Sequence, residues 1–146
     1  MSGDDFTIEI ADWNRDKSEL RSIREVVFII EQRVPQTLEW DDKDIQSLHV
    51  IARDIAGKGI GTGRLTPEGQ IGRMAVLSQW RNSGVGSALL IQLIELAKKG
   101  QVHSPFLNAQ KKAIPFYTRH GFRSVGDEFM EAGIPHQRME QNQKPD

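Results

Sequence analysis

The stretch RNSGVGSALL, Arg81 to Leu90, sets two glycines one residue apart just ahead of an apolar run. The first N–H groups of a helix have no internal partner, and the helix dipole adds roughly half a positive charge there. Glycines let an anion approach those groups closely. A helix opening at Gly84 would therefore suit a diphosphate, with Arg81 and Ser83 as further donors. The same glycines also suit a turn that holds no ligand and only relieves backbone strain. Two well-known phosphate motifs do not fit. A dinucleotide fingerprint needs a third glycine, where Leu89 stands, and an acidic residue about 20 positions on, near Ser104. A Walker loop needs Gly-Lys-Ser/Thr, and Gly86 is followed by Ser87-Ala88.

A second group lies about 30 residues later, in AIPFYTRHGF, Ala113 to Phe122. Helical spacing puts Ala113, Phe116, Tyr117 and His120 on one face. Tyr117 is the sole tyrosine of the chain. A phenol titrates near ~10, so at pH 7 it carries a proton that it can donate. Beside Phe116 it also reads as a packing residue. No metal set emerges: His49, His103, His120 and His136 show no paired helical spacing, and there are no cysteines. The lack of cysteine also removes any thiol nucleophile. It fits a reducing compartment, and a cytoplasmic home is expected.

The chain that must position these groups has 146 residues, a length expected to form one domain, with a polar tail after Glu140 expected to fray. Its 19 Lys and Arg against 20 Asp and Glu leave a net charge of -1. That balance gives no field to draw in nucleic acid or an anionic membrane, and neither partner is expected. The N-terminus lacks the pattern of a secretory signal. The longest apolar run, Val85 to Leu96, is broken by Gln92 and Glu95 and is too short for a bilayer.

Alternation at Phe6, Ile8 and Ile10 predicts a first strand. Asp16-Lys17-Ser18-Glu19 offers a helix N-cap. Leu20, Ile23, Val27, Ile30 and Val34 then mark one apolar helix face, ended by Pro35. The acidic stretch from Leu38 to Asp44 is expected in a loop or a short helix. Leu48–Arg53 and Lys58–Leu65 read as a hairpin, followed by a turn at Glu68-Gly69 and a strand at Ile71–Leu77. A helix is predicted for Gly84–Lys99, stopped by Gly100. A strand at Pro105–Gln110, a helix at Ala113–His120 closed by Gly121, and strands at Phe122–Phe129 and Gln137–Glu140 complete the reading. This is a mixed α/β domain with an antiparallel front half.

Taken together, the strand IGRMAV, the segment Arg81-Asn82-Ser83-Gly84-Val85-Gly86 and the segment LNAQKKAIPFYTRHGF resemble the GNAT superfamily of acetyl-CoA-dependent N-acetyltransferases. The segment from Arg81 to Gly86 matches that family's Q/R-x-x-G-x-G/A signature. The segment LNAQKKAIPFYTRHGF matches its N-x-x-A-x-x-F-Y-x-x-x-G-F segment, with Gln110 where Asn is usual. Gln keeps the donor and acceptor of Asn on a longer stem, and Asn108 on the same strand face could share its role. EQRVPQTLEWDDKD and FMEAGIPHQRM further resemble an ElaA-like or YjcF-like bacterial subgroup.

The resemblance implies a mostly antiparallel sheet whose fourth and fifth strands splay apart and hold the pantetheine arm of acetyl-CoA. Main-chain groups of Met74, Ala75 and Val76 would pair with that arm, with Asn108, Gln110, Ala113 and Phe116 also lining it. The diphosphate would sit on the loop from Arg81 through Asn82, Ser83, Gly84, Val85, Gly86 and Ser87. Tyr117 falls at the family position that protonates the departing thiolate. A base is not fixed by any motif; Glu31, Glu39 and His136 are candidates. The acidic cluster Glu39, Asp41, Asp42 and Asp44, or His136, could receive a small-molecule or peptide amine, or the cluster is simply a solvated loop, whereas Arg64 and Arg73 could instead read a carboxylate or serve ion pairs. Without cysteine, direct attack in a ternary complex is expected. Family members are often dimers, which raises a homodimer. Two other readings stay open at this point: a GNAT-like module that senses acyl-CoA without turnover, and a nucleotide-binding domain of another kind.

Overall fold

A computed structural model describes residues 5–36, 40–100 and 104–142. Its frame is one mixed sheet in the order β1-β2-β3-β4-β5-β8-β6, with β7 paired to β8. The strands are β1 (Phe6–Ala11), β2 (Leu48–Asp54), β3 (Gly59–Leu65), β4 (Gln70–Val76), β5 (Phe106–Gln110), β6 (Phe122–Ser124), β7 (Phe129–Glu131) and β8 (Ile134–Gln141). The helices are α1 (Trp13–Arg24), α2 (Val85–Lys99) and α3 (Ile114–Arg119). None of the described helices is long and apolar enough to cross a membrane.

The front half follows the hydrophobic alternation. β1, β2, β3 and β4 pair antiparallel in sequence order. The β2–β3 turn closes because the Asp54 carboxylate accepts from the N–H groups of Ala56 and Lys58, both at 2.9 Å. Alternate strand residues then feed two cores. On one face Val50, Ala52 and Ile60 pack against Leu89, Leu90 and Leu93 of α2. On the other, Ile51 and Ala75 pack against Leu20 and Ile23 of α1.

The structure corrects the start of α1. The N-cap is Asp12, not Asp16. The Asp12 carboxylate accepts from Asn14 and Arg15 N–H at 2.8 and 3.2 Å. Asp16 lies one turn in and accepts from the Asp12 N–H at 2.9 Å. The reciprocal cap exists, four residues earlier than the spacing indicates. Asp12→Ala should cost about 1 kcal/mol in chemical denaturation, since two first-turn donors lose their acceptor.

The second half of that helix is also corrected. From Glu25 to Glu31 the backbone continues as a seven-residue π-helix. Gln32 N–H reaches back five residues to the Val27 carbonyl at 3.2 Å. The wider turn moves the buried face: Val27 and Phe28 go in, while Ile30 is 63% exposed. The segment ends at Arg33, whose φ of 60° no helix can continue, two residues before Pro35.

β4 carries a further irregularity. Thr62 faces Ala75 while Arg64 faces Gly72, so two residues of β4, Arg73 and Met74, oppose Gly63 alone. Arg73 takes φ 52° to make this bulge. Parallel pairing of β4 with β5 then stops after two positions, Gln70 with Phe106 and Ile71 with Leu107. The two strands diverge beyond them, as the family resemblance implies.

The tail of the sheet differs from the single strand expected over Phe122–Phe129. Two short strands form there, and β7 turns into β8 through a two-residue hairpin. Ala132 and Gly133 at φ 53° and 76° make that hairpin.

Candidate functional site

The divergence of β4 from β5 opens a cleft of about 630 Å³. Its floor is the β4 bulge and the exposed face of β5; its walls are the π-helical end of α1, the start of α3 and the β7–β8 hairpin. The two strands differ in what they leave open. β5 pairs along its whole length with β8 on its other side. Beyond Ile71, the β4 edge toward β5 has no strand partner.

At one end of the cleft the chain leaves β4 and enters the glycine segment. Leu77 N–H bonds the Ile60 carbonyl at 2.9 Å, fixing the exit. A 3₁₀ turn at Ser78–Trp80 follows. The Ser83 hydroxyl bonds the Trp80 carbonyl. Asn82 and Gly84 both take positive φ, 63° and 91°. Gly84 is the N-cap of α2 and supplies no side-chain cap. The first helical bond runs from Ala88 N–H to the Gly84 carbonyl at 3.1 Å. The N–H groups of Val85, Gly86 and Ser87 precede it and have no helical acceptor. A Cβ at Gly86 would lie 3.6 Å from the Phe116 ring and 3.9 Å from Val76, in ordinary contact with both. Ser87 Oγ lies 3.0 Å from His120 Nε2 across the same corner, a contact that sequence reasoning missed.

α3 brings Tyr117 to the cleft. Pro115 in its first turn and Gly121 at φ 89° after its end fix its length. The Tyr117 ring meets Phe116 and Phe122 edge-on, at 5.1 and 6.2 Å between centroids. Burial of the phenol pushes its pKa up to about 12.

Of the other residues singled out from sequence, Met74, Val76, Arg81, Asn108, Gln110 and Ala113 line the cleft with Glu31 and His136. Ala75 is buried beneath it. Phe116 packs behind Tyr117 and against His120. Gln110 does not stand alone: its Nε2 donates to Gln32 Oε1 at 2.8 Å, tying β5 to the end of the π-helix. The Arg81 guanidinium lies 2.9 Å from both oxygens of Glu31.

His136 is buried. Its Nδ1 lies 2.7 Å from the Ile134 carbonyl, which can only accept. In the neutral ring Nδ1 therefore carries the proton and Nε2 the lone pair. Nε2 lies 3.5 Å from Glu131, and Phe129 stacks on the ring.

Asp41 goes elsewhere. It pairs with Arg64 at 2.8 Å and Arg73 at 3.1 Å, and it does not line the cleft. Burial opposes its ionisation, but the Arg64 hydrogen bond and the two cations hold its carboxyl below the usual range. Arg64 is buried in these ion pairs. Glu39 and His103 lie outside the described residues. Glu131 and Gln32 also line the cleft and were not singled out from sequence. The signal for Glu131 was the turn Ala132-Gly133, muted because alanine rarely takes positive φ.

Residues 21–142 match the family described as Acetyltransferase (GNAT) domain. The uncharacterised N-acetyltransferase YjcF of Bacillus subtilis is 39% identical over 121 residues, 80% of this chain and 86% of that protein. An acyl-CoA N-acyltransferase from Pseudomonas aeruginosa superposes with a TM-score of 0.81 at 29% identity, covering 94% of this chain and 98% of that one. Escherichia coli ElaA shares the fold with a TM-score of 0.84 at 22% identity, covering 94% of this chain and all of that one.

Proposed function

Because this chain belongs to the GNAT acetyltransferase family, an enzyme family of acyl transfer, we propose that it moves the acetyl group of acetyl-CoA onto a primary amine in a ternary complex. The observation that carries this reading is that the open β4 edge and Tyr117 line one cleft, whose end at Val76 and Arg81 leads directly into the uncapped start of α2. A long, amide-bearing arm ending in a diphosphate needs such a combination: a strand edge to pair with and a cluster of free N–H groups at its end.

The residues divide the work as follows. Main-chain groups of Met74, Ala75 and Val76 hold the pantetheine arm, with Asn108 and Gln110 facing it from β5. The N–H groups from Asn82 to Ser87 hold the diphosphate, with Arg81 beside them. Bound acetyl-CoA supplies the thioester. Tyr117 Oη holds a proton at neutral pH and delivers it to the sulfur as the C–S bond breaks. Glu31 and the Nε2 lone pair of His136 stand at the cleft to accept the proton released by the amine once its N–C bond has formed, directly or through water.

The test is binding and turnover measured together. Calorimetry should show CoA binding and no comparable binding of ATP or NAD. Incubation with acetyl-CoA and a panel of primary amines should release free CoA. Tight CoA binding without turnover on any amine would favour a sensing module. A finer check uses Gly86→Val, which fits beside Phe116 and Val76 but adds branched bulk over the main-chain N–H groups of the diphosphate loop. It should weaken CoA binding about tenfold or more, with the unfolding midpoint little changed.

A further inference from the structure

Arg81 is held at the cleft by two contacts of different kinds. Its Nη2 bridges both oxygens of Glu31 at 2.9 Å, and its Nε donates to the Val76 carbonyl at 3.1 Å. All three residues line the cleft. The side chains of Arg81 and Glu31 are 41% and 32% exposed. The pair therefore sits at the mouth, where an ion pair is worth at most ~1 kcal/mol and can exchange partners readily. Around Glu31 the wall from the π-helix and its exit holds Val27, Phe28 and Val34, with the amide of Gln32 already bonded to Gln110, so Glu31 is its one charged group among the described residues. A lone carboxylate in such a wall is a place for a cation, and here the protein's own guanidinium fills it.

Resting on the acetyltransferase reading, we propose that Glu31 is the cation subsite for the acceptor, masked in the free enzyme by Arg81 and uncovered when the diphosphate of the cofactor claims that guanidinium. The acceptor class that follows is an amine bearing positive charge at neutral pH, such as an alkylammonium, rather than a neutral arylamine. A diphosphate carries more negative charge than one carboxylate and lies beside the positive end of α2. It draws Arg81 from Glu31 and leaves that carboxylate to the acceptor. By linkage, cofactor and acceptor each tighten the binding of the other by the same factor. The other charges of the cleft serve this role less well. Arg73 pairs with Asp41, and Lys112 is itself a cation. Glu131 faces His136 and is more than half exposed.

Two titrations test this, with CoA and n-butylammonium as probes. In Glu31→Gln the guanidinium loses its competing partner, so CoA should bind about three- to fivefold tighter than to wild type. An equal or weaker affinity overturns the mask. With CoA bound, n-butylammonium should bind wild type about three- to fivefold tighter than it binds the free protein, and Glu31→Gln should abolish that gain. Equal affinity with and without CoA overturns the subsite. CoA that fails to bind wild type at all would instead remove the acetyltransferase reading, so the two failures are distinct. Unfolding midpoints of both proteins, expected within a few degrees of each other, exclude misfolding of the variant.

Discussion

Tyr117→Phe is expected to lower kcat about 100-fold or more while the CoA dissociation constant moves less than about twofold. The change removes one oxygen and leaves the ring packed edge-on to Phe116 and Phe122. General acid catalysis contributes ~10²–10⁴-fold, and losing it should appear in kcat rather than in ground-state binding. The pH profile adds a signature. With the phenol pushed up to about 12, the donating, protonated form persists well above the range of a free tyrosine. Activity should show no alkaline loss from this group up to about pH 11. The same shift has a sign for stability. The fold favours the neutral phenol, so this contribution is intact below about pH 10 and is lost as the pH rises through about 12. Steady-state kinetics from pH 7 to 10.5, alongside calorimetry with CoA, would decide it. Unchanged kcat in the Phe variant means that the proton comes from another group.

The second large effect is on stability. Asp44→Ala should destabilise the fold by about 3 kcal/mol, because breaking a buried ion pair leaves charge without its counterpart. One oxygen of Asp44 receives Arg24 at 2.8 Å and Arg64 at 3.0 Å. Arg24 and Arg64 are 1% and 3% exposed. Arg24 lies over the faces of Trp13 and Trp40, at 5.8 and 5.0 Å, which leaves it no path to water. The Asp44 main chain is fixed as well, its carbonyl 2.8 Å from His49 Nε2. Asp42→Ala, at an exposed neighbouring position, should stay within about 0.5 kcal/mol. Urea denaturation of the three proteins provides the comparison. Asp41 in the same network is held below the usual carboxylate range, so its share is present at neutral pH. It is lost as the pH falls through that lowered value.

Much of the cleft could be read from residue order, and the reasons are local. Gly84 and Gly86 ahead of an apolar helix, and Pro115 and Gly121 bracketing α3, are signals that a few adjacent residues carry by themselves. The hairpin at Asp54–Gly57 and the strand faces of β2 and β3 came from simple alternation. What stayed hidden depends on partners distant in the chain. Arg64 in a strand could equally have read a substrate carboxylate. Only the fold shows it beside Asp41 and Asp44, some 20 residues upstream. Arg73 at positive φ is set by the mismatch between β3 and β4, for which arginine gives no sign. The apolar spacing through Ile30 and Val34 fits an ordinary helix. Phe28, just off that stripe, takes the buried place instead because the backbone widens beneath it. The contact of Glu31 with Arg81 spans 50 residues and is invisible without the fold.

The widened turn at Glu25–Glu31 gives the cleft a tolerance to chain length that an ordinary helix would lack. One residue shorter, the segment would wind at 3.6 residues per turn with every main-chain bond intact. The tighter winding nearly offsets the lost residue, because the π-turn is the place where one extra residue is taken up. Glu31 and Gln32 would then still face Arg81 and Gln110. A single codon lost there would leave the acceptor wall in place, whereas one lost from the α-helical turns before it would rotate that wall by roughly 100°.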